Sequence, residues 1–260
     1  MARTPAELLD RAVASGPSRP LLTAYDDATG ERTELSVVTF ATWVAKTANL
    51  LRDELDVQPG SSLSLQLPLH WQAAVWLQAA WALGLVVDLV SRDGVDVAVV
   101  GHDSTGGDSV SADQVVSLGL GPMGLPRAGV LPRHPDAVDY DRSVHAQGDR
   151  FVPTTRPLPG DAVLVSPDGT VTGQALVAAA VGSPPLPAGG RLLVTQPLRT
   201  VSAVLAALVV PLATDTTAVL CSHLDQARLA ERIRQEGLVA ALPGAAGPLP
   251  VFEPAVPVMT

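Results

Sequence analysis

Chemistry needs nucleophiles, bases, cations or metal ligands at workable spacings, and this chain offers few of them. Lys46 is the only lysine in 260 residues, so any step that needs a lysine must use Lys46 or do without. The run Val163-Leu164-Val165-Ser166-Pro167-Asp168-Gly169-Thr170-Val171-Thr172-Gly173-Gln174-Ala175-Leu176 passes from an apolar strand through a Ser/Thr/Gly loop into a helix. Such loops hold phosphate because glycines expose backbone N–H groups, hydroxyls add donors and the helix start carries partial positive charge. Composition alone favours an ordinary β-turn at Asp168-Gly169, and Asp168 would repel a phosphate. Gly119-Leu120-Gly121-Pro122-Met123-Gly124 fits G-x-G-x-x-G, whose glycines admit a pyrophosphate at a helix start. Here Pro122 sits inside the pattern and Pro126 and Pro132 follow where the helix should run, so the run is read as a loop.

The histidines, at 70, 102, 134, 145 and 223, show no metal-ligand spacing, and no metal site is expected. His70, beside Trp71 at a helix start, reads as structural. Asp136, Asp139 and Asp141 surround Tyr140 in a Pro-bounded stretch, read as a solvated loop rather than an acid/base pair. Cys221, the only cysteine, reads as a small buried hydrophobe and excludes an internal disulfide or a Cys-based metal cluster. No G-x-S-x-G elbow, H-E-x-x-H pair or Walker lysine motif is present. Trp43, Trp71, Trp76 and Trp81 fall on two neighbouring predicted helices, where core packing or a partner-facing surface explains them. No catalytic residue is assigned from these patterns.

The totals bound the class of molecule that must position these groups. Hydrophobic residues make up 47% and charged residues 17%, enough for a buried core and too apolar for a disordered chain. Aromatics are only 3%, so Ala, Val and Leu must build that core, which suits buried parallel strands covered by helices. A net charge of −9 with no Lys/Arg-rich run argues against nucleic acid or anionic lipid as partners. The N-terminus has no signal-peptide pattern and no apolar run suits a bilayer span, so the expected compartment is the cytosol.

The patterning predicts a helix from Thr4 to about residue 14, with Leu8, Leu9, Ala12 and Val13 on one face. A hairpin of strands near 20–25 and 32–35 follows. Ser36 opens a long helix to about residue 55, with Phe40, Val44, Thr47 and Leu51 buried. Strand 62–67, helix 70–83 and strand 85–90 form a βαβ unit and imply a parallel sheet, which strand 95–100 extends. Residues 102–112 read as a loop, 115–118 as a further strand and 119–160 as an irregular packed connection. Strands at 162–166, 191–196, 216–221 and 238–242 alternate with helices near 174–181, 201–212 and 224–236.

Taken in order, these segments resemble the N-terminal subdomains of the AMP-binding, adenylate-forming family of acyl-CoA synthetases. The likeness lies in Arg19-Pro20-Leu21-Leu22-Thr23, in Thr33-Glu34-Leu35-Ser36 through Leu50-Leu51, and in Val57-Gln58-Pro59-Gly60-Ser61-Ser62-Leu63-Ser64-Leu65-Gln66-Leu67-Pro68. It continues through the helix from Trp71 to Gly84 and the strand Leu192-Leu193-Val194-Thr195-Gln196-Pro197-Leu198. Within the family the chain resembles short actinobacterial members of unassigned function. The resemblance implies an α/β fold of parallel and mixed sheets flanked by helices. It implies an AMP-binding-enzyme-like unit over 1–240, divided within 119–160, and a Pro/Gly/Ala-rich tail over 241–260. It places the family's phosphate loop at Ser166, Gly169, Thr170, Thr172 and Gly173, without the lysine that follows in the family and with neutral Gln174 instead. It also implies that the family's later motifs, the Mg²⁺-coordinating acid, the ribose-binding aspartate and the lid lysine, lie beyond this sequence. Adenylation builds charge on phosphate oxygens that cations must stabilise. The expectation is therefore a non-catalytic relative that holds an adenine nucleotide (ATP or AMP) or an acyl or CoA-like ligand. The alternatives are a protein-interaction or regulatory module, or a half-enzyme completed by a separate chain. Oligomeric state is left open.

Overall fold

Thr4 starts the first helix by accepting the Glu7 N–H on its hydroxyl at 3.2 Å, which satisfies one of the donors a helix start leaves open. The computed structural model describes residues 2–91, 93–102, 111–127, 134, 136–244 and 247–259. Of the loop read over 102–112, residues 103–110 lie outside the described residues, as do Pro132 and residues 245, 246 and 260 of the tail. Helix α1 (Pro5–Ser15) buries Leu8, Leu9 and Ala12, while Val13 is only partly covered. The hairpin forms as β1 (Pro20–Asp26) and β2 (Glu31–Ser36), and Ser36 caps α2 (Val37–Asn49) through the Thr39 N–H. A π-helical turn over Leu50–Glu54 extends α2.

The chain then builds β3 (Ser62–Gln66), α3 (Trp71–Leu83), β4 (Val86–Asp88), β5 (Val95–Gly101) and β6 (Ala112–Leu118). Inside the stretch expected to be irregular lie β7 (Val138–Asp139) and α4 (Tyr140–Ser143), each flanked by short 3₁₀ turns or loops. β8 (Ala162–Ser166) turns back at once into β9 (Gly169–Thr172), which runs into α5 (Gly173–Gly182). The remaining elements are β10 (Arg191–Val194), α6 (Val201–Val204), α7 (Val210–Thr214), β11 (Thr217–Ser222), α8 (Gln226–Glu236) and β12 (Leu238–Ala241). A π-helical turn, Leu205–Val209, joins α6 to α7. Pro211 offers no N–H and its ring would crowd the carbonyl four residues back, and the wider turn just before it relieves both problems.

These strands form two sheets. One has five strands in the order β12-β10-β11-β1-β2, parallel except for the β2 edge. The other has seven in the order β7-β6-β5-β3-β4-β8-β9, parallel except for the β9 edge. The chain leaves the five-stranded sheet after β2 and returns to it at β10, while β6 and β8, on either side of 119–160, share the seven-stranded sheet.

Helix α3 is packed between the two sheets, touching β3 and β4 of one and β1 of the other. Apart from Gln72 and Gln78 its sequence is apolar on every face, as suits a helix covered on all sides. Trp71, Trp76 and Trp81 are each at most 1% exposed, which assigns them to the core; only Trp43, on α2, is partly open. The Trp81 indole N–H donates to the Val163 carbonyl at 2.9 Å and so fixes α3 against β8. Among the described residues no helix is long and apolar enough to cross a membrane.

Candidate functional site

The carboxyl ends of β1 and β11 in one sheet face those of β3, β5 and β6 in the other, and a cleft of about 600 Å³ opens between them. Open α/β sheets bind ligands at these ends, because side chains and free backbone groups converge there from several strands. Leu69, Trp71, Leu118, Leu120 and Pro197 supply an apolar lining. Asp26, Glu31, His70, His102, Arg127 and Arg199 supply the charged and polar one.

Each polar group is held by its element. His70 caps α3 by accepting the Gln72 N–H on Nδ1 at 3.3 Å. Its proton therefore sits on Nε2. Burial, reinforced by nearby Arg127, pushes the His70 pKa down to about 4. Arg127 donates to the Leu120 carbonyl at 2.9 Å and lies 3.7 Å from the Glu31 carboxylate. Burial pushes Glu31 upward, and Arg127 opposes that rise. Asp26 pairs with His223 at 2.9 Å. Arg199 is exposed and makes no ion pair among the described residues. The Trp71 Nε1 and Arg127 Nε donors are buried without partners among the described residues. Leu120 and His223 both hold left-handed backbone, each with φ of 52°. Non-glycine residues pay for that conformation, and such strain gathers at functional sites.

At the inner wall His102 directly follows β5, and Asp139 and Asp141 come from β7 and α4. Asp141 is 1% exposed and accepts the Gly119 N–H on Oδ2 at 2.8 Å. Burial pushes its pKa upward. The expected solvated loop is thus corrected: β7 pairs with β6 and draws Asp139 and Asp141 inward, while Asp136 alone stays exposed. A Cβ on Gly119 would lie 2.5 Å from Asp141 Oδ2 and 3.1 Å from His102 Nδ1, so only glycine fits there. Gly124, at φ 68°, leaves room for the Trp43 ring, which a Cβ would meet at 2.6 Å. The glycines of the G-x-G-x-x-G run thus serve close approach of the chain to itself.

The phosphate-loop residues come together, but away from the cleft lining. Ser166, Gly169, Thr170, Thr172 and Gly173 lie on the β8–β9 hairpin and the start of α5. Their groups are engaged within the chain. The Ser166 hydroxyl donates to the Gly169 carbonyl at 3.1 Å and accepts the Asp168 N–H at 3.3 Å. Thr172 caps α5 through the Ala175 N–H, and the Gly173 and Gln174 N–H groups donate to the Asp161 and Pro159 carbonyls. Lys46 is distant in role as well as in sequence: its ammonium binds the Gln147 carbonyl at 2.6 Å and Asp149 at 2.8 Å. Cys221 is buried, its thiol pushed up to about 12 by that burial.

No family model matches the chain. A Mycobacterium tuberculosis protein named "TIGR03089 family protein" is 40% identical over 158 residues, which cover 58% of this chain and 63% of that one. Among solved structures, an acyl-CoA synthetase of Brucella canis superposes with a TM-score of 0.75 at 17% identity, covering 93% of this chain and 48% of its own. The N-terminal domain of FACL13 from Mycobacterium tuberculosis gives 0.71 at 14% identity, over 93% of this chain and 62% of its own. The anthranilate CoA ligase AuaEII, in complex with anthranoyl-AMP, gives 0.67 at 14%, over 90% and 47%. The fold is that of the N-terminal region of acyl-CoA synthetases. The α/β reading with parallel and mixed sheets flanked by helices holds. The chain spans 63% of the curated relative and about half of two of the solved ligase chains it resembles.

Proposed function

We propose that this chain is a non-catalytic relative of acyl-CoA synthetases that binds a small organic anion, an acyl or aryl carboxylate, in the cleft between its two sheets. The observation that carries the reading is the cleft itself. Its volume of about 600 Å³ suits a small-molecule ligand. Its lining joins an apolar wall to the buried donors Trp71 Nε1 and Arg127 Nε, which have no hydrogen-bond partner among the described residues, and to Arg199, which has no ion-pair partner among them. An apolar body with carboxylate oxygens answers both parts, since a buried donor left alone costs about 1–3 kcal/mol. One similar structure holds anthranoyl-AMP, which joins an aryl acyl group to a nucleotide. The non-catalytic part rests on the Ser166–Gly173 hairpin. Its donors are spent internally, it carries Asp168, and no lysine stands beside it. A triphosphate at this hairpin therefore lacks the lysine and the free amides that its transfer would draw on.

Calorimetry with a panel of aliphatic and aromatic carboxylates, AMP, ATP and acyl-CoA tests the binding. Heat with a carboxylate, lost in the Arg199→Glu variant, is the expected result. No heat with any of them would remove the proposal. Pyrophosphate exchange with the same acids should stay at background, and turnover of ATP by the purified chain would overturn the non-catalytic assignment.

A further inference from the structure

His102, Asp139 and Asp141 leave a set of buried polar atoms with nothing to bind. His102 is 3% exposed, and neither of its ring nitrogens has a partner among the described residues. Oδ1 of Asp139 and Oδ1 of Asp141 are likewise buried and without a partner among the described residues. The other oxygen of each carboxylate is occupied: Asp141 Oδ2 by the Gly119 N–H at 2.8 Å, and Asp139 Oδ2 by Arg142 at 3.1 Å. One ligand atom from each of the three residues lies within 4.8 Å of the others. Buried polar groups are nearly always paired, and a cluster left unpaired marks an absent water or ion. Two carboxylates facing one point repel unless positive charge stands between them. Carboxylates each fixed on one oxygen by a supporting donor, with the other oxygen free, show the outer support that metal ligands usually have.

We propose that His102, Asp139 and Asp141 form a binding site for a divalent first-row transition cation such as Zn²⁺ or Mn²⁺. One imidazole nitrogen and two carboxylate oxygens are a donor set for these ions. Mg²⁺ and Ca²⁺ prefer oxygen alone, and the site holds no sulfur for the softer ions. Bonds of about 2.1 Å give ligand-to-ligand edges of roughly 3.4 Å in a tetrahedral site, a span that small side-chain rotations reach from the present arrangement. The backbone at Gly119 permits this crowding, because any side chain there would collide with Asp141 and His102. His102 and Gly119 line the cleft, so a cation held by the three residues fronts it. There its open positions would take an anionic oxygen of a ligand. The site stands on its own unpaired atoms and does not depend on what occupies the cleft.

The test is a titration of tag-free, chelator-treated protein with Co²⁺, followed by visible absorption, with Zn²⁺ competition and metal content measured after gel filtration. One equivalent should bind and produce a d–d band that Zn²⁺ abolishes. Mg²⁺ should not compete at equal concentration. His102→Gln and Asp139→Asn should each weaken binding at least tenfold. Asp139 is only partly buried and asparagine matches its volume, so that variant folds even if the His102 change does not, as far-UV circular dichroism would record. Absence of a band in the wild-type chain overturns the proposal. So does binding that persists unchanged in Asp139→Asn, because it would belong to another place on the protein.

Discussion

His70 shows how much a single side chain can report about its surroundings. Its neutral ring caps α3 and lines the cleft, and burial keeps its pKa near 4 against an ordinary 6.5. Between those values the unfolded chain takes up a proton that the native chain refuses, so native stability falls as pH drops from about 6.5 to about 4. At 1.36 kcal/mol per unit, the loss reaches about 3 kcal/mol at the acid end. His70→Asn keeps a capping side chain and removes the titration. Urea unfolding at pH 7.5 and pH 4.5 should show a smaller loss in the variant than in the wild-type chain, and equal losses would refute this account. The type of residue and its position before a helix were legible from sequence. Its suppressed charge was not, because that depends on Arg127 and on cover from strands distant along the chain.

At the scale of elements, Arg232 ties α8 to the turn after β1. Its guanidinium donates to both Asp27 oxygens, at 2.8 and 2.6 Å, and lies 4.1 Å from the centre of the Tyr25 ring. The two charged side chains are 8% and 3% exposed. Breaking such a pair on one side strands a buried charge and costs about 3–5 kcal/mol. Arg232→Ala should lower stability by about that amount in denaturant unfolding, and the double variant Asp27→Asn/Arg232→Met should recover part of it. A loss below about 1 kcal/mol in the single variant would show the pair to be solvated. Element boundaries were mostly readable, because amphipathic or continuous apolar patterns and Ser/Thr caps act locally. β9 was not: four residues rich in Gly and Thr, just past a tight turn, pair with β8 without a pattern of their own. β7 escaped for the same reason, since two residues become a strand only beside β6.

Over the whole molecule, the cleft exists only because two sheets present their carboxyl ends to each other across α3. A ligand seated there touches both sheets and should stabilise them together. At a concentration a hundred times its Kd, it should add about 2.7 kcal/mol to unfolding. The unfolding transition should stay single while it shifts, and a ligand-dependent splitting would show that it holds one sheet alone. The sequence by itself determined every helix but α4, most strands, the parallel α/β class and the likeness to adenylate-forming enzymes, since these depend on residue patterns within a few turns of chain. Tertiary structure alone decided three things. It closed the Ser166–Gly173 loop into a self-satisfied hairpin, drew Asp139 and Asp141 out of solvent, and set them beside His102 at the wall of the cleft. Those outcomes depend on which strand lies next to which, and strand order is a property of the packed sheets that no local spacing records.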